Sequence, residues 1–177
     1  MSATTTRPAS ACARGFTLVE ASIVLAVTAI LLAMALPMWG SLSARQRVLA
    51  AGEALVQGLT LARQETVRRG QPLYLVAHAG ADWCWAISTQ PTCDCRQAAT
   101  GCAWRQASAS DSPGVTLTQA QGMRLDPQDG RASGGLAATW RAAPARPDTG
   151  AAEVHVHPFG RTRLCARGAP LPGVPAC

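Results

Sequence analysis

From Phe16 to Leu36 the chain is predominantly apolar, 21 residues with a single formal charge, Glu20. About 20 such residues cross a bilayer as a helix. A lone carboxylate inside such a run is costly, which marks Glu20 as a functional residue. The helical pattern then continues with a different composition. Between Ser41 and Arg69, Val48, Leu55, Leu59 and Ala62 form one apolar stripe, with Leu42, Leu49 and Val56 beside it. Arg45, Gln46, Glu53, Gln57, Arg63 and Gln64 take the opposite face. Gly40, Gly52 and Gly58 each weaken the helix, by up to about 1 kcal/mol relative to alanine. Gly52 and Gly58 are expected to permit close packing on a sheet. Arg68-Arg69-Gly70, with Pro72 beyond, is a stop signal: cations in the last turn, then glycine. The expected element is one helix of about 54 residues, roughly 80 Å long at 1.5 Å per residue.

After Gly70 the period shortens to that of strands. Strands are expected at 73–78 and 83–87, joined by the turn Ala79-Gly80-Ala81-Asp82, and at 115–118, 123–125 and 136–140. The turn Asp126-Pro127-Gln128-Asp129-Gly130 follows 123–125. Glu153-Val154-His155-Val156-His157 alternates and predicts a further strand, paired with Arg163-Leu164-Cys165 across Pro158-Phe159-Gly160. Residues 89–114 and 142–152 are expected to be loops, and the tail 166–177, with its prolines and glycines, cannot extend a central strand. No internal repeat is present. A helix followed by antiparallel strands is an α+β layout, with the helix stripe on one face of a sheet.

Composition and charge sharpen this only slightly. All 16 basic residues are arginine, against 10 acids. If residues 1–15 are removed, Arg7 and Arg14 leave and the balance is 14 arginines to 10 acids, or +4. Arginine's planar fork suits phosphate, but net charge alone is weak evidence for a polyanion partner.

A secretory signal is excluded by pattern. Its apolar core is shorter, and its small residue follows the core, whereas here Gly15 precedes the run and Glu20 interrupts it. Gly15-Phe16-Thr17-Leu18-Val19-Glu20 instead resembles the type IV prepilin signature, cut between Gly15 and Phe16 by prepilin peptidase. Glu20 is the fifth residue counted from Phe16, and Pro37 the twenty-second, the positions of that family's glutamate and helix-bending proline. The resemblance implies a leader at 1–15, a transmembrane and filament-core helix at 16–37, and a soluble pilin-like head at 38–177. Within the head, 38–69 is helix and 70–177 a β domain with disulfide loops. It implies N-methylation of Phe16 and pairing of Glu20 with the amine of a neighbouring subunit during assembly. It also implies a single pass through the bacterial inner membrane, a periplasmic head, and other pilins or pseudopilins as partners. The strand-rich head resembles the GspH/FimT group of minor pilins.

Of the seven cysteines, Cys12 lies in the leader. The remaining six read as disulfides outside the cytoplasm. Pairing of Cys165 with Cys177 is expected because pilins often staple this region. A Cys93–Cys95 bridge would be strained, so Cys84 and Cys102 are each expected to take one of Cys93 and Cys95. A zinc site from those four is the competing reading. No cofactor is expected.

The C-terminal stretch Gly160-Arg161-Thr162-Arg163, with Arg167 beyond, resembles the Gly-Arg-x-Arg motif by which FimT-like minor pilins bind DNA in natural transformation. Glycine lets the backbone approach a phosphate, and arginines two apart on an extended segment reach successive phosphates. The bland alternative is a hairpin with solvated arginines. Arg68, Arg69, Arg131, Arg141 and Arg146 are candidates to extend the patch. His155 and His157 are spaced for a metal, though Val154 and Val156 in the core with both histidines in water explains them better. Trp104 in the cysteine loop could stack on a base. No catalytic constellation appears, and no enzyme is expected. Two functions remain: a DNA-binding minor pilin taking double-stranded DNA, or a structural GspH-like pseudopilin of type II secretion.

Overall fold

The computed structural model describes residues 16–97, 101–132, 135–145 and 149–177, without the side chains of 35–38. The leader, with Gly15 at the expected cut, lies outside the described residues, as does Arg146. Helix α1 runs Leu18–Arg69 and is shared between two compact units, Met1–Met38 and Trp39–Cys177.

In the first unit, Thr17 starts the helix. Its hydroxyl accepts a hydrogen bond from Glu20 N at 3.2 Å, which satisfies one of the amides a helix start leaves free. Glu20 thus sits in the first turn, where the helix dipole favours an acid. Ser22 and Thr28 donate their hydroxyls to the carbonyls of Val19 and Val24, each at 2.7 Å. Apolar side chains from Phe16 to Met34 are exposed. No single helix is long and apolar enough to cross a membrane; Leu18–Met34 and Trp39–Arg69 pass by length and composition only together.

The second unit holds the core. Val48, Ala51, Leu55, Leu59 and Ala62 of α1 are buried, the stripe that the periodicity predicts. They pack on two sheets, where a single sheet was expected. One contains β1 (Leu73–His78), β2 (Cys84–Ser88), β3 (Ala103–Ser108) and β5 (Met123–Leu125), in the order β3-β2-β1-β5. The other contains β4 (Val115–Ala120), β6 (Gly135–Ala142), β7 (Ala151–Val156) and β8 (Thr162–Arg167), in the order β4-β6-β7-β8. All of these neighbours are antiparallel. The helix touches both sheets through its glycines. An ideal Cβ on Gly52 would lie 2.7 Å from Leu164 Cδ1, and one on Gly58 2.9 Å from the Trp85 ring. Trp83 joins the sheets: its indole N–H donates to Val115 O at 2.8 Å, and its ring meets Trp140 edge-on at 6.2 Å.

Several strand boundaries shift by one or two residues from the sequence reading, and one strand was not expected. Residues 89–114 are not one loop, because β3 and a single 3-10 turn at Ala109–Asp111 lie within them. β3 reads AWRQAS and is an edge strand, so it lacks the alternation that betrays a half-buried strand. β7 begins at Ala151 rather than Glu153, since Ala151 and Ala152 pair with Arg167 and Ala166. Disulfides join Cys84 to Cys95, Cys93 to Cys102, and Cys165 to Cys177. The first fastens the segment after β2 to that strand, and the second links Cys93 to Cys102, the residue before β3. The third holds the tail beside β8, where Ala166 N donates to Pro175 O at 2.8 Å and Cys177 N donates to Ala166 O at 3.0 Å. These bonds leave the six cysteines with no thiolate for zinc.

Candidate functional site

The turn between β7 and β8 closes with two short hydrogen bonds, Gly160 N to His157 O and His157 N to Arg161 O, both 2.7 Å. Gly160 has φ +75°, a left-handed conformation that glycine adopts without strain. Space demands glycine as well: an ideal Cβ there would fall 2.3 Å from Gly130 O and 2.9 Å from Arg63 Nε. Gly130 ends the 126–130 turn. Asp126 shapes that turn by accepting from Gln128 N on its carboxylate and from Gly130 N on its carbonyl, both at 2.9 Å. Ala132 N donates to Pro158 O at 3.2 Å and ties the two turns together. Two segments read separately as turns in the sequence therefore form one structure, with Arg63 of α1 against both.

Strand geometry then sorts the arginines. On β8, Thr162 and Leu164 face the helix: Thr162 Oγ1 lies 3.5 Å from Thr60 Oγ1, and Leu164 packs on Gly52. Arg163, Cys165 and Arg167 take the other face, as alternation requires. Arg161 precedes the strand, in the turn. The Arg161 and Arg163 side chains are exposed and make no hydrogen bond or ion pair among the described residues. Arg167 differs. Its Nε donates to Glu153 Oε1, and its Nη2 to Glu153 Oε2 at 3.0 Å. Glu153 is 3% exposed, on the face that the alternation assigned to solvent. His155 Nε2 lies 3.1 Å from the same carboxylate. The Arg167 hydrogen bonds hold the Glu153 carboxyl below its ordinary range, against the opposing effect of burial. Arg167, grouped with the motif from sequence, is thus committed to a buried acid within the fold.

An open groove of about 1160 Å³ runs along this turn. Arg63, Arg161, Arg163, Arg167, His155 and His157 line it, and no aspartate or glutamate is among its lining residues. Exposed Phe159 stacks on His157 at 5.3 Å, with the Arg131 guanidinium 5.4 Å from its ring centre. The two histidines therefore have separate surroundings, His155 on Glu153 and His157 on Phe159.

The candidate extensions of the patch divide. Arg68 and Arg69 both bond Glu65 and lower its carboxyl to about 2. Arg131 pairs with Asp129 at 2.8 Å. Arg141 is exposed on β6. Trp104 lies on β3 beside Leu61, Glu65 and Arg68, in a separate shallow pocket. Sequence reasoning missed Arg63 as a site residue. It put Arg63 only on the polar face of the helix, and no local signal couples that position to a turn so far along the chain.

A family model described as "Prokaryotic N-terminal methylation motif" matches residues 11–36, over the Gly15–Glu20 signature. Another, described as "Type II transport protein GspH", matches residues 51–160, from the second half of α1 to Gly160. Neither a search of curated proteins nor one of solved structures returned a match. The methylation motif implies other pilins and a prepilin peptidase as partners, and family members are structural subunits. With the GspH match spanning more than half of the chain and a helix packed on two antiparallel sheets behind it, the chain belongs to the GspH family of type IV pilins and pseudopilins.

Proposed function

We propose that this pilin is a minor subunit whose head binds double-stranded DNA through Gly160, Arg161 and Arg163, in the service of DNA uptake. One observation carries the reading: among the described residues, the Arg161 and Arg163 side chains open without acidic partners onto a groove with no aspartate or glutamate in its lining. Clustered, unneutralised guanidinium groups raise the local potential for anions and contact phosphates irrespective of sequence. In this reading the leader is cut between Gly15 and Phe16 and Phe16 is N-methylated. Residues 16–37 hold the subunit in the inner membrane and then in the filament, with a bend at Pro37 and the head at 38–177 in the periplasm. Glu20 meets the amine of a neighbouring subunit, which relieves an unpaired charge in an apolar setting. The test is a gel shift with duplex DNA. The full chain in nonionic detergent shifts the duplex, and Arg161→Ala with Arg163→Ala abolishes the shift; unchanged binding in that variant removes the assignment to this turn.

A second reading has its own support. The GspH match ends at Gly160, so both arginines lie beyond it. A structural pseudopilin of type II secretion needs no DNA contact. Absence of any shift at low salt by the oxidised chain decides for this reading.

A further inference from the structure

We propose that Arg63 of α1 is a third phosphate ligand of the groove and anchors it to the helix. The inference rests on the DNA-binding reading and adds a residue that no motif contains. Arg63 is half-buried, and its stem is wedged between two glycine turns. An ideal Cβ on Gly130 would lie 2.7 Å from Arg63 Cγ, and one on Gly160 3.0 Å from Arg63 Cδ and 2.9 Å from Nε. A side chain at either glycine would displace the arginine. Gly160 therefore does more than turn the chain: it makes room for a cation from another element.

That cation has no protein partner among the described residues. The Arg63 side chain makes no hydrogen bond or ion pair among the described residues, whereas Arg68, Arg69, Arg131 and Arg167 each hold an acid. Its helical neighbours three and four residues away are Leu59, Thr60, Thr66 and Val67, none acidic. Half-burying an unpaired charge is unfavourable unless something compensates it. A phosphate in the groove, which Arg161 and Arg163 also line, would compensate it. Because packing already fixes the stem, little side-chain freedom is lost on binding. Arg63 also rides on α1 rather than on a turn, so the contact is tied to an element whose apolar stripe is buried in the core.

The test titrates a short duplex against the full chain in nonionic detergent, over a range of salt concentrations. Arg63→Gln is expected to weaken binding as much as Arg161→Ala does, with a salt slope shallower by about 1. Arg63→Lys, which keeps the charge, is expected to retain the slope. Phenylglyoxal labelling of the wild-type chain gives a readout independent of any substitution. Bound DNA is expected to protect Arg63 while leaving the exposed Arg141 reactive. Wild-type affinity and slope in Arg63→Gln, or equal labelling of Arg63 with and without DNA, overturns the proposal. Where Arg161→Ala with Arg163→Ala loses binding and Arg63→Gln does not, only the role of Arg63 falls. Where the wild type binds no DNA, the functional reading falls and this one with it.

Discussion

Arg163 and Arg167 stand on the same face of β8, yet they have opposite roles. Arg163 has no acidic partner among the described residues, and Arg167 neutralises Glu153, which the fold has buried. Partnering rather than spacing separates a free cation from a structural one. Arg167→Ala would strand a buried carboxylate and is expected to lower Tm by about 5 °C. DNA affinity should fall less than in Arg161→Ala, whose Tm should stay near wild type; thermal melting and titration of both variants check this. The pair also sets an acid limit. A carboxyl whose folded value is depressed stabilises the fold fully above its unfolded value, here 4.5, and loses that contribution as pH falls through the folded value. Melting temperatures should therefore be flat toward neutral pH and fall below about 4.5, with a shallower fall in Glu153→Gln. Glu65 and Asp94, also depressed, add to the same limb; identical acid limbs in wild type and Glu153→Gln would contradict the assignment to Glu153. Gly160, Arg161 and Arg163 could be proposed from the sequence because they form a contiguous motif. Glu153 was not, because an alternating strand says which side a residue faces but not what covers that side.

Among the elements, the helix stripe, its stop at Arg69 and most strands follow from local pattern. Val48, Leu55, Leu59 and Ala62 repeat at the helical period, and β1 and β4 bury alternate positions. β3 escaped because it is polar and stapled at its edge. The division into two sheets escaped because pairing is non-local: nothing in Met123–Leu125 reveals that β5 joins β1 while its neighbours in sequence, β4 and β6, pair with each other. The disulfides belong to this scale: Cys84–Cys95 and Cys165–Cys177 each fasten a segment to a strand, and Cys93–Cys102 ties the first of those segments to the residue before β3. Cys165 and Cys177 close a loop of sequence separation 12. Replacing both with serine is expected to cost about 2–3 kcal/mol, mainly by freeing the unfolded chain. Denaturant melts of the oxidised wild type and the double-serine variant measure the difference.

Across the whole molecule, two units carry two kinds of surface. Residues 16–34 expose apolar side chains that need lipid or other helices as cover. Residues 39–177 bury their apolar stripe and expose arginines. The prepilin-type motif supports membrane anchoring and pilus assembly for the first surface. Glu20→Ala is expected to leave leader cleavage intact and to block incorporation into filaments. Immunoblots of sheared filaments and of membranes separate those steps, and normal incorporation would count against charge pairing at Glu20. In the proposed reading the head acts through the groove, where a contiguous motif meets an arginine from α1. The most direct measurement is fluorescence anisotropy of two unrelated duplexes of equal length, titrated with the wild-type chain and with Arg161→Ala plus Arg163→Ala across salt. The account predicts equal affinity for both duplexes, and a slope of log affinity against log salt shallower by about 2 in the variant. Equal slopes in wild type and variant, or no binding by the wild type at low salt, would contradict it.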